Sequence, residues 1–297
     1  MQNTPVPRQS TGIPGLDQHL DGGLLPGTLT VVCGATGIGK SQLGVQFANA
    51  GLQQEGQRGV LFDMCSRGDA QSHADYALRM FDWKLQNMDP AAPLDLEEFF
   101  ASNRPADDYL HVFDLLGRRV TRRDLDFDAF HDWQAQLVSR LNTAIAFFYS
   151  AFLRGVRRCV VDGIEPVDRP SDSIQLEMFE YIYHQILRKE HDWVARDLLR
   201  EHFRKQENEV TQHAYDHRQV GCLFLYTSAE SMLDQLIDRK LDEGDLLSNA
   251  NTVIYMGKIR DGLKIRRALY IAKHRGSRCS DEIHPFEIDD AGLRMLA

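Results

Sequence analysis

Apolar and polar positions along the chain follow two rhythms. Short apolar runs, Leu29 to Cys33, Gly59 to Phe62, Tyr109 to Phe113, Cys159 to Val161 and Gly221 to Tyr226, are rich in β-branched and aromatic residues and nearly free of charge. Runs of this length and composition read as strands buried on both faces, as in a parallel sheet. Between them, apolar residues return every three or four positions. Ser41 to Asn49 turns Leu43, Val45 and Phe47 toward the sheet. Phe130, Trp133, Leu137, Leu141, Ile145, Phe148 and Phe152 mark a long amphipathic helix, and Ile174, Met178, Ile182 and Ile186 repeat at four. Strand, helix, strand with a tight first turn predicts an α/β fold, a mostly parallel sheet flanked by helices. Asn251 to Met256 and Ala268 to Ala272 predict an antiparallel C-terminal hairpin flexed near Asp261-Gly262, with a last short strand at Pro285 to Ile288.

A single domain over residues 10–297 accounts for this alternation, with residues 1–9 as a flexible lead. Two stretches depart from it. Residues 85–108 are broken by prolines and rich in acids. Residues 191–218 are almost wholly charged or amide, with sparse apolar positions at Val194, Leu198, Leu199 and Phe203, which predicts a solvated helical hairpin arm.

Composition narrows the class. The 297 residues carry 34 Lys plus Arg against 43 Asp plus Glu, a net charge of −9 that works against bulk attraction to nucleic acid or an anionic membrane. The longest nearly apolar run, Ala144 to Leu153, is about half of what a membrane span needs. No basic and apolar leader heads the sequence, and the cysteines, Cys33, Cys65, Cys159, Cys222 and Cys279, are scattered without a C-x-x-C pair. These features predict a cytoplasmic protein with reduced thiols, without a disulfide frame or zinc site.

One segment carries explicit chemistry. Gly34-Ala35-Thr36-Gly37-Ile38-Gly39-Lys40-Ser41 matches G-x-x-x-x-G-K-S/T in full, after an expected strand and before an expected helix. The glycines let backbone N–H groups curl around phosphate oxygens, Lys40 brings a cation to the β- and γ-phosphates, and Ser41 supplies a hydroxyl for Mg²⁺. With the adjoining Gln42, this stretch is the expected binding set for ATP or ADP. Asp162, ending the apolar strand Cys159 to Val161, is the expected acidic partner that holds a Mg²⁺-bound water.

The opening STGIPGLDQHLDGGLLPGTLTVVCGATGIGKSQLGVQFANAG resembles the RecA/RadA/KaiC class of P-loop ATPases, and KaiC-like proteins most closely. Lys273-His274-Arg275-Gly276-Ser277, followed by Ile283, Phe286 and Gly292, resembles the K-x-R-G-S segment of KaiC. The resemblance covers about residues 10–84, 109–190 and 219–297, and leaves both departing stretches unexplained. It implies a RecA-like fold and self-association into a ring or filament with nucleotide at the subunit boundary. Lys273 and Arg275 would then reach the neighbour's γ-phosphate as catalytic cations, and Thr227 and Ser228 would sense the γ-phosphate.

At one place the sequence departs from that class. The strand after the first helix should end in glutamates that orient or deprotonate the attacking water, yet GVLFDMCSRGD places Cys65 and Ser66 there. A neutral thiol is a poor proton acceptor. Asp63, two residues earlier and on the same strand face as Cys65, and Glu165, three residues past Asp162, are the substitutes at hand. Nucleotide binding is therefore expected together with weak or absent hydrolysis.

The expected function is that of a KaiC-like ATP-binding protein whose nucleotide state governs assembly or partner docking. A DNA-binding recombination protein and a pseudoenzyme scaffold are the alternatives. Against DNA, Gly163 to Ser173 carries three acids and one Arg, and Ser228 to Ala250 carries six acids against Arg239 and Lys240. Loops of that charge repel a phosphate backbone. No guanine-specifying N-K-x-D follows a late strand, and no LSGGQ-type segment precedes Asp162.

Overall fold

The computed structural model describes residues 7–65, 72–89, 99–100, 107–112, 127–164, 173–239 and 246–296, with side chains for all of these but 127–139, 174 and 246. At its centre β1 (Leu29–Gly34) runs parallel to β5 (Gly221–Thr227) on one side and β6 (Thr252–Asp261) on the other. Beyond β5 follow β4 (Arg158–Ile164), β2 (Val60–Asp63) and β3 (Tyr109–His111), all parallel. Beyond β6 come β7 (Lys264–His274), β8 (Ile283–Asp289) and β9 (Gly292–Met295), all antiparallel. The sheet order is β3-β2-β4-β5-β1-β6-β7-β8-β9.

Every residue of β1, β2 and β4 is buried, because helices cover both faces. Val31 and Cys33 point into a core built with α3 (Phe127–Leu153), α4 (Ile174–Ile182), α5 (His191–Leu199) and α6 (Phe203–Gln212). Val32 points the other way, into a core with α1 (Lys40–Gln54), the neighbourhood of α2 (His73–Phe81) and the N-terminal segment through Ile13, Leu16 and Leu20. No helix among the described residues is long and apolar enough to cross a membrane.

Three elements differ from what the pattern predicts. The hairpin is longer, pairing Lys258 with Arg267 and Asp261 with Lys264, because ladder hydrogen bonds need no apolar side chain. The chain does not stop at that last strand: Asp290-Ala291 is a turn, the Asp289 carboxylate accepts from the Ala291 N–H, and β9 returns along β8 from Gly292. Residues 191–218 do form paired helices, but these are no free arm. Val194, Leu199 and Phe203 are buried in the α3 core, and Trp193 stays 61 % exposed. Helix α2 is not marked in the sequence, although it packs Ala77, Tyr76, Met80 and Phe81 on the core. It is defined at its start by a capping box, in which the Ser72 hydroxyl accepts from the Asp75 N–H and the Asp75 carboxylate from the Ser72 N–H.

The S-T-G-I-P-G-L-D opening has a local physical reason. The Asp17 carboxylate accepts from the Ser10 hydroxyl at 2.5 Å, the Thr11 N–H at 2.8 Å and the Thr11 hydroxyl at 2.6 Å. Gly12, at φ +72°, lies so near α1 that a Cβ there would stand 2.5 Å from the Gln46 carbonyl oxygen. Arg158, wholly buried at the start of β4, ties this segment to α1. Its guanidinium donates to Glu55 at 2.7 Å and 3.0 Å, to the Ser10 carbonyl at 2.6 Å, to the Phe47 carbonyl at 2.9 Å and to Gln54, and lies over the Phe47 ring.

Arg158→Met keeps the volume but strands two carbonyls and Glu55. We expect it to cost about 3 kcal/mol of stability, near the lower bound for a broken buried pair because Glu55 keeps some solvent contact. Urea unfolding measures this, and an unchanged midpoint would show that the guanidinium network is not needed for stability.

Candidate functional site

The parallel register brings the C-terminal ends of β1, β2, β4 and β5 to one edge of the sheet. There the chain leaves β1 at Gly34 and turns through Ala35, Thr36, Gly37, Ile38 and Gly39 into α1. Thr36 and Gly37 are exposed, while Ile38 is buried and anchors the turn. Gly39 precedes the helix at φ +117° and offers no side-chain cap, so the first N–H groups of α1 are not consumed by one. Lys40 is buried and folds back, donating to the carbonyls of Gly34 at 2.9 Å and Ala35 at 3.0 Å, and its burial lowers its pKa. Gln42 is buried in the first turn, and its Oε1 has no hydrogen-bond partner among the described residues.

Ser41 and Asp162, far apart in sequence, meet here: the Ser41 hydroxyl donates to Asp162 Oδ2 at 2.6 Å. A hydroxyl and a carboxylate oxygen beside a glycine-rich helix N-terminus are hard donors that fit Mg²⁺, and the loop and Lys40 fit the phosphates of a nucleotide. Thr227 is the register partner of Gly34, and the Ser228 N–H donates to the Gly34 carbonyl at 3.0 Å, so both stand beside the base of the loop. The Ser228 hydroxyl donates to Glu230.

The centre of the site is a residue that the sequence did not mark. His73, the first residue of α2, is buried between two carboxylates. Its Nε2 lies 2.9 Å from Asp162 Oδ2 and its Nδ1 3.3 Å from Asp63 Oδ2. Asp63 and Asp162 are register partners on β2 and β4. The other oxygen of each carboxylate is held by backbone: Asp162 Oδ1 accepts from the Gly163 N–H at 2.7 Å, and Asp63 Oδ1 from the Cys65 N–H at 2.8 Å. Tyr109 on β3 also donates its hydroxyl to Asp63 Oδ2 at 2.7 Å. Gly163 has φ +93°, and a Cβ there would meet the Cys65 nitrogen at 2.2 Å, so only glycine lets the two strand ends come this close.

The electrostatics follow from burial opposed by pairing. Burial alone would lower the pKa of His73, but hydrogen bonds and charge from Asp162 and Asp63 outweigh it and push it up to about 10. Burial would raise both carboxyls, yet their bonds to His73 hold each below its ordinary value. Desolvation and the neighbouring Asp63 charge raise the Tyr109 hydroxyl.

The sequence-predicted residues thus fall into groups. Gly34 to Ser41 and Asp162 converge, with Asp63 and Cys65 beside them; the Cys65 side chain also hydrogen-bonds Asp63. Ser66 and Glu165 lie outside the described residues. Lys273 and Arg275 are elsewhere. Lys273 pairs with Val253, level with Val31 near the start of β1, and its Nζ donates to the carbonyls of Ser248 at 2.7 Å and Leu247 at 3.3 Å on α8 (Leu246–Asn249), which follows the five-residue α7 (Leu233–Ile237). Arg275 donates to the same Ser248 carbonyl at 2.9 Å. Strand alternation turns the intervening His274 inward, within 2.8 Å of Thr252 Oγ1 and 3.2 Å of the Leu20 carbonyl oxygen. For His73, the only sequence signal was the Ser72–Asp75 capping box, which locates a helix start but says nothing of Asp162.

Comparison with known proteins identifies a family and a fold. The family model described as "ATPase: KaiC" matches residues 9–297. The "Circadian clock protein KaiC2" of Synechocystis sp. is 25 % identical over 288 residues, which is 96 % of this chain but 39 % of that protein. The chain therefore spans about two fifths of the length of that curated relative. The crystal structure of a KaiC-like protein from the hyperthermophilic archaeon Pyrococcus horikoshii superposes with a TM-score of 0.51 at 19 % identity, covering 99 % of this chain and 100 % of the other. That likeness is one of fold.

Stability should carry the signature of the buried pair. A histidine raised from 6.5 to about 10 stabilises the folded chain fully below 6.5 and loses that contribution as pH climbs through its folded value. The depressed carboxyls act in the other direction, contributing above their ordinary 3.8 and losing it on acidification. In the presence of a chelator, we expect the urea midpoint to fall as pH rises from 6.5 toward 10, and His73→Gln to flatten that limb. A flat alkaline limb in the unaltered chain would mean that His73 is neutral when folded.

Proposed function

Because the chain belongs to the KaiC family of ATPases, we propose that it binds ATP or ADP with Mg²⁺ at the β1–α1 loop, and that the bound nucleotide governs its association with further copies of itself or with a protein partner. Gly34 to Ser41, with Gln42 adjoining, would hold the phosphates, and Ser41 with Asp162 the cation. The metal would supply positive charge that neutralises the phosphates. The chain's own part is to position the phosphates with backbone N–H groups and to bring Lys40 across from its resting bonds to Gly34 and Ala35.

One observation carries the assembly reading. Lys273 and Arg275 stand near the N-terminal end of the parallel strands, on the α8 side of the sheet, whereas the loop leaves the C-terminal end toward α1. Two cations so placed serve a γ-phosphate only on another copy, where they would complete a site that one chain leaves unfinished. The described acids after β5, Glu230, Asp234 and Asp238, do not favour a nucleic acid in its place. The scattered cysteines, without a C-x-x-C pair, support a cytoplasmic setting.

Hydrolysis is proposed to be slow. Cys65 stands where a water-activating carboxylate is expected, and Asp63 is a weak replacement. Its carboxylate already accepts from Tyr109, His73 and Cys65, and its depressed pKa makes it a poor proton acceptor. Loss of a general base costs about 10²–10⁴-fold, leaving positioning and charge neutralisation.

Light scattering coupled to size exclusion should show a larger species with ATP and Mg²⁺ than without. Lys40→Ala should stay in the nucleotide-free state, while Lys273→Ala with Arg275→Ala should bind ATP as before yet assemble at least about tenfold more weakly, in line with loss of charged interface partners. Wild-type mass that ignores ATP, or assembly that ignores the double substitution, would overturn the assembly reading. In a phosphate-release assay, Cys65→Glu should raise turnover about tenfold or more, with ATP affinity little changed. Brisk wild-type turnover abolished by Asp63→Asn, with no gain from Cys65→Glu, would instead assign the base to Asp63.

A further inference from the structure

The two carboxylates of the site are built alike. In each, one oxygen is fixed by a backbone N–H, Gly163 for Asp162 and Cys65 for Asp63. In each, the other oxygen is shared by a hydroxyl and the imidazole: Ser41 and His73 Nε2 on Asp162 Oδ2, Tyr109 and His73 Nδ1 on Asp63 Oδ2. An imidazole that faces a carboxylate with both nitrogens donates from both and carries a charge. The oxygen it holds on Asp162 is also the one that the loop hydroxyl touches. A divalent cation held beside Ser41, directly or through a bound water, would draw on the same Asp162 carboxylate.

We propose that His73 is the internal counter-ion of the cation site: in the metal-free chain it holds Asp162 Oδ2 and Asp63 Oδ2 together, and a divalent cation entering with nucleotide competes with it for Asp162. His73 is thus a positioning residue that opposes metal binding, in contrast to a ligand that would support it. Its place in the fold gives the exchange a mechanical outlet. Helix α2 is anchored at its far end, where the Trp83 Nε1–H donates to Asp108 at 2.7 Å and Arg58 lies over the Trp83 ring. At its near end His73 ties α2 to β2 and β4, so release from Asp162 loosens the first turn of α2 and leaves the rest in place.

This inference rests on the nucleotide reading above, and its test separates the two. Binding of Mn²⁺ to the ADP-loaded protein, followed by electron paramagnetic resonance at one fixed pH, should be at least about tenfold tighter in His73→Ala, because two buried carboxylates then have no competing cation. His73→Gln, neutral and closer in size, should tighten it severalfold and guards against a folding defect in the alanine variant. Amide exchange of residues 73–77 should rise in the unaltered chain when Mn²⁺ joins ADP, and should not change in His73→Gln. Unchanged or weaker Mn²⁺ binding in both variants, with ADP retained by the unaltered chain, would overturn the role of His73 alone. An unaltered chain that binds neither ADP nor Mn²⁺ would overturn this inference together with the nucleotide reading.

Discussion

Two carboxylates, Asp63 and Asp162, are buried side by side as register partners on adjacent strands, and the functional edge is organised around offsetting their charge. Their mutual repulsion adds to the cost of desolvating each charge. Water would screen that repulsion, but both side chains are buried. The charge is met from four elements: His73 of α2 between the two, Ser41 of α1 on one, Tyr109 of β3 on the other, and the backbone at Cys65 and Gly163 behind them. The glycine after Asp162 is part of the same requirement, since a side chain there would push the end of β2 away and uncouple the pair.

The same sheet separates the chemistry it supports. Parallel strands gather loop ends at one edge, which is where phosphate and cation chemistry collects in open α/β sheets. The antiparallel return through β6 and β7 carries Lys273 and Arg275 to the opposite edge, where they cap the carbonyls of α8. Alternation along β7 then divides a five-residue segment between two tasks. Lys273 and Arg275 face α8, while His274 turns inward and Ser277 accepts from Arg8, locking the N-terminal segment to the sheet. A motif that reads as one functional unit is therefore half structural.

The buried guanidinium of Arg158 performs an analogous service at the strand starts. Five donor contacts converge on groups from the opening segment and from the middle and end of α1, so the helix is held there while Thr36 and Gly37 of the loop ahead of it are exposed. Rigidity at one end and exposure at the other suit a helix that must receive a ligand without reorganising.

Much of the fold was legible in the chain because its signals are local. β-Branched runs, apolar spacing at three and four, and a glycine-rich turn ahead of a Lys-Ser pair each report on a few neighbouring residues, and they located β1, β4, β5 and the start of α1. What the sequence left open depended on partners distant along the chain. His73 is an ordinary residue after a helix cap until β2 and β4 align Asp63 with Asp162, 89 residues beyond it. The helices after residue 190 look solvated until α3 supplies a face on which Val194, Leu199 and Phe203 are buried. Arg158 reads as a charged strand edge until Glu55 and two carbonyls enclose it. Burial of charge is decided by tertiary packing, because only packing sets which opposite charge lies close enough to offset desolvation, and no local pattern of residues encodes that distance.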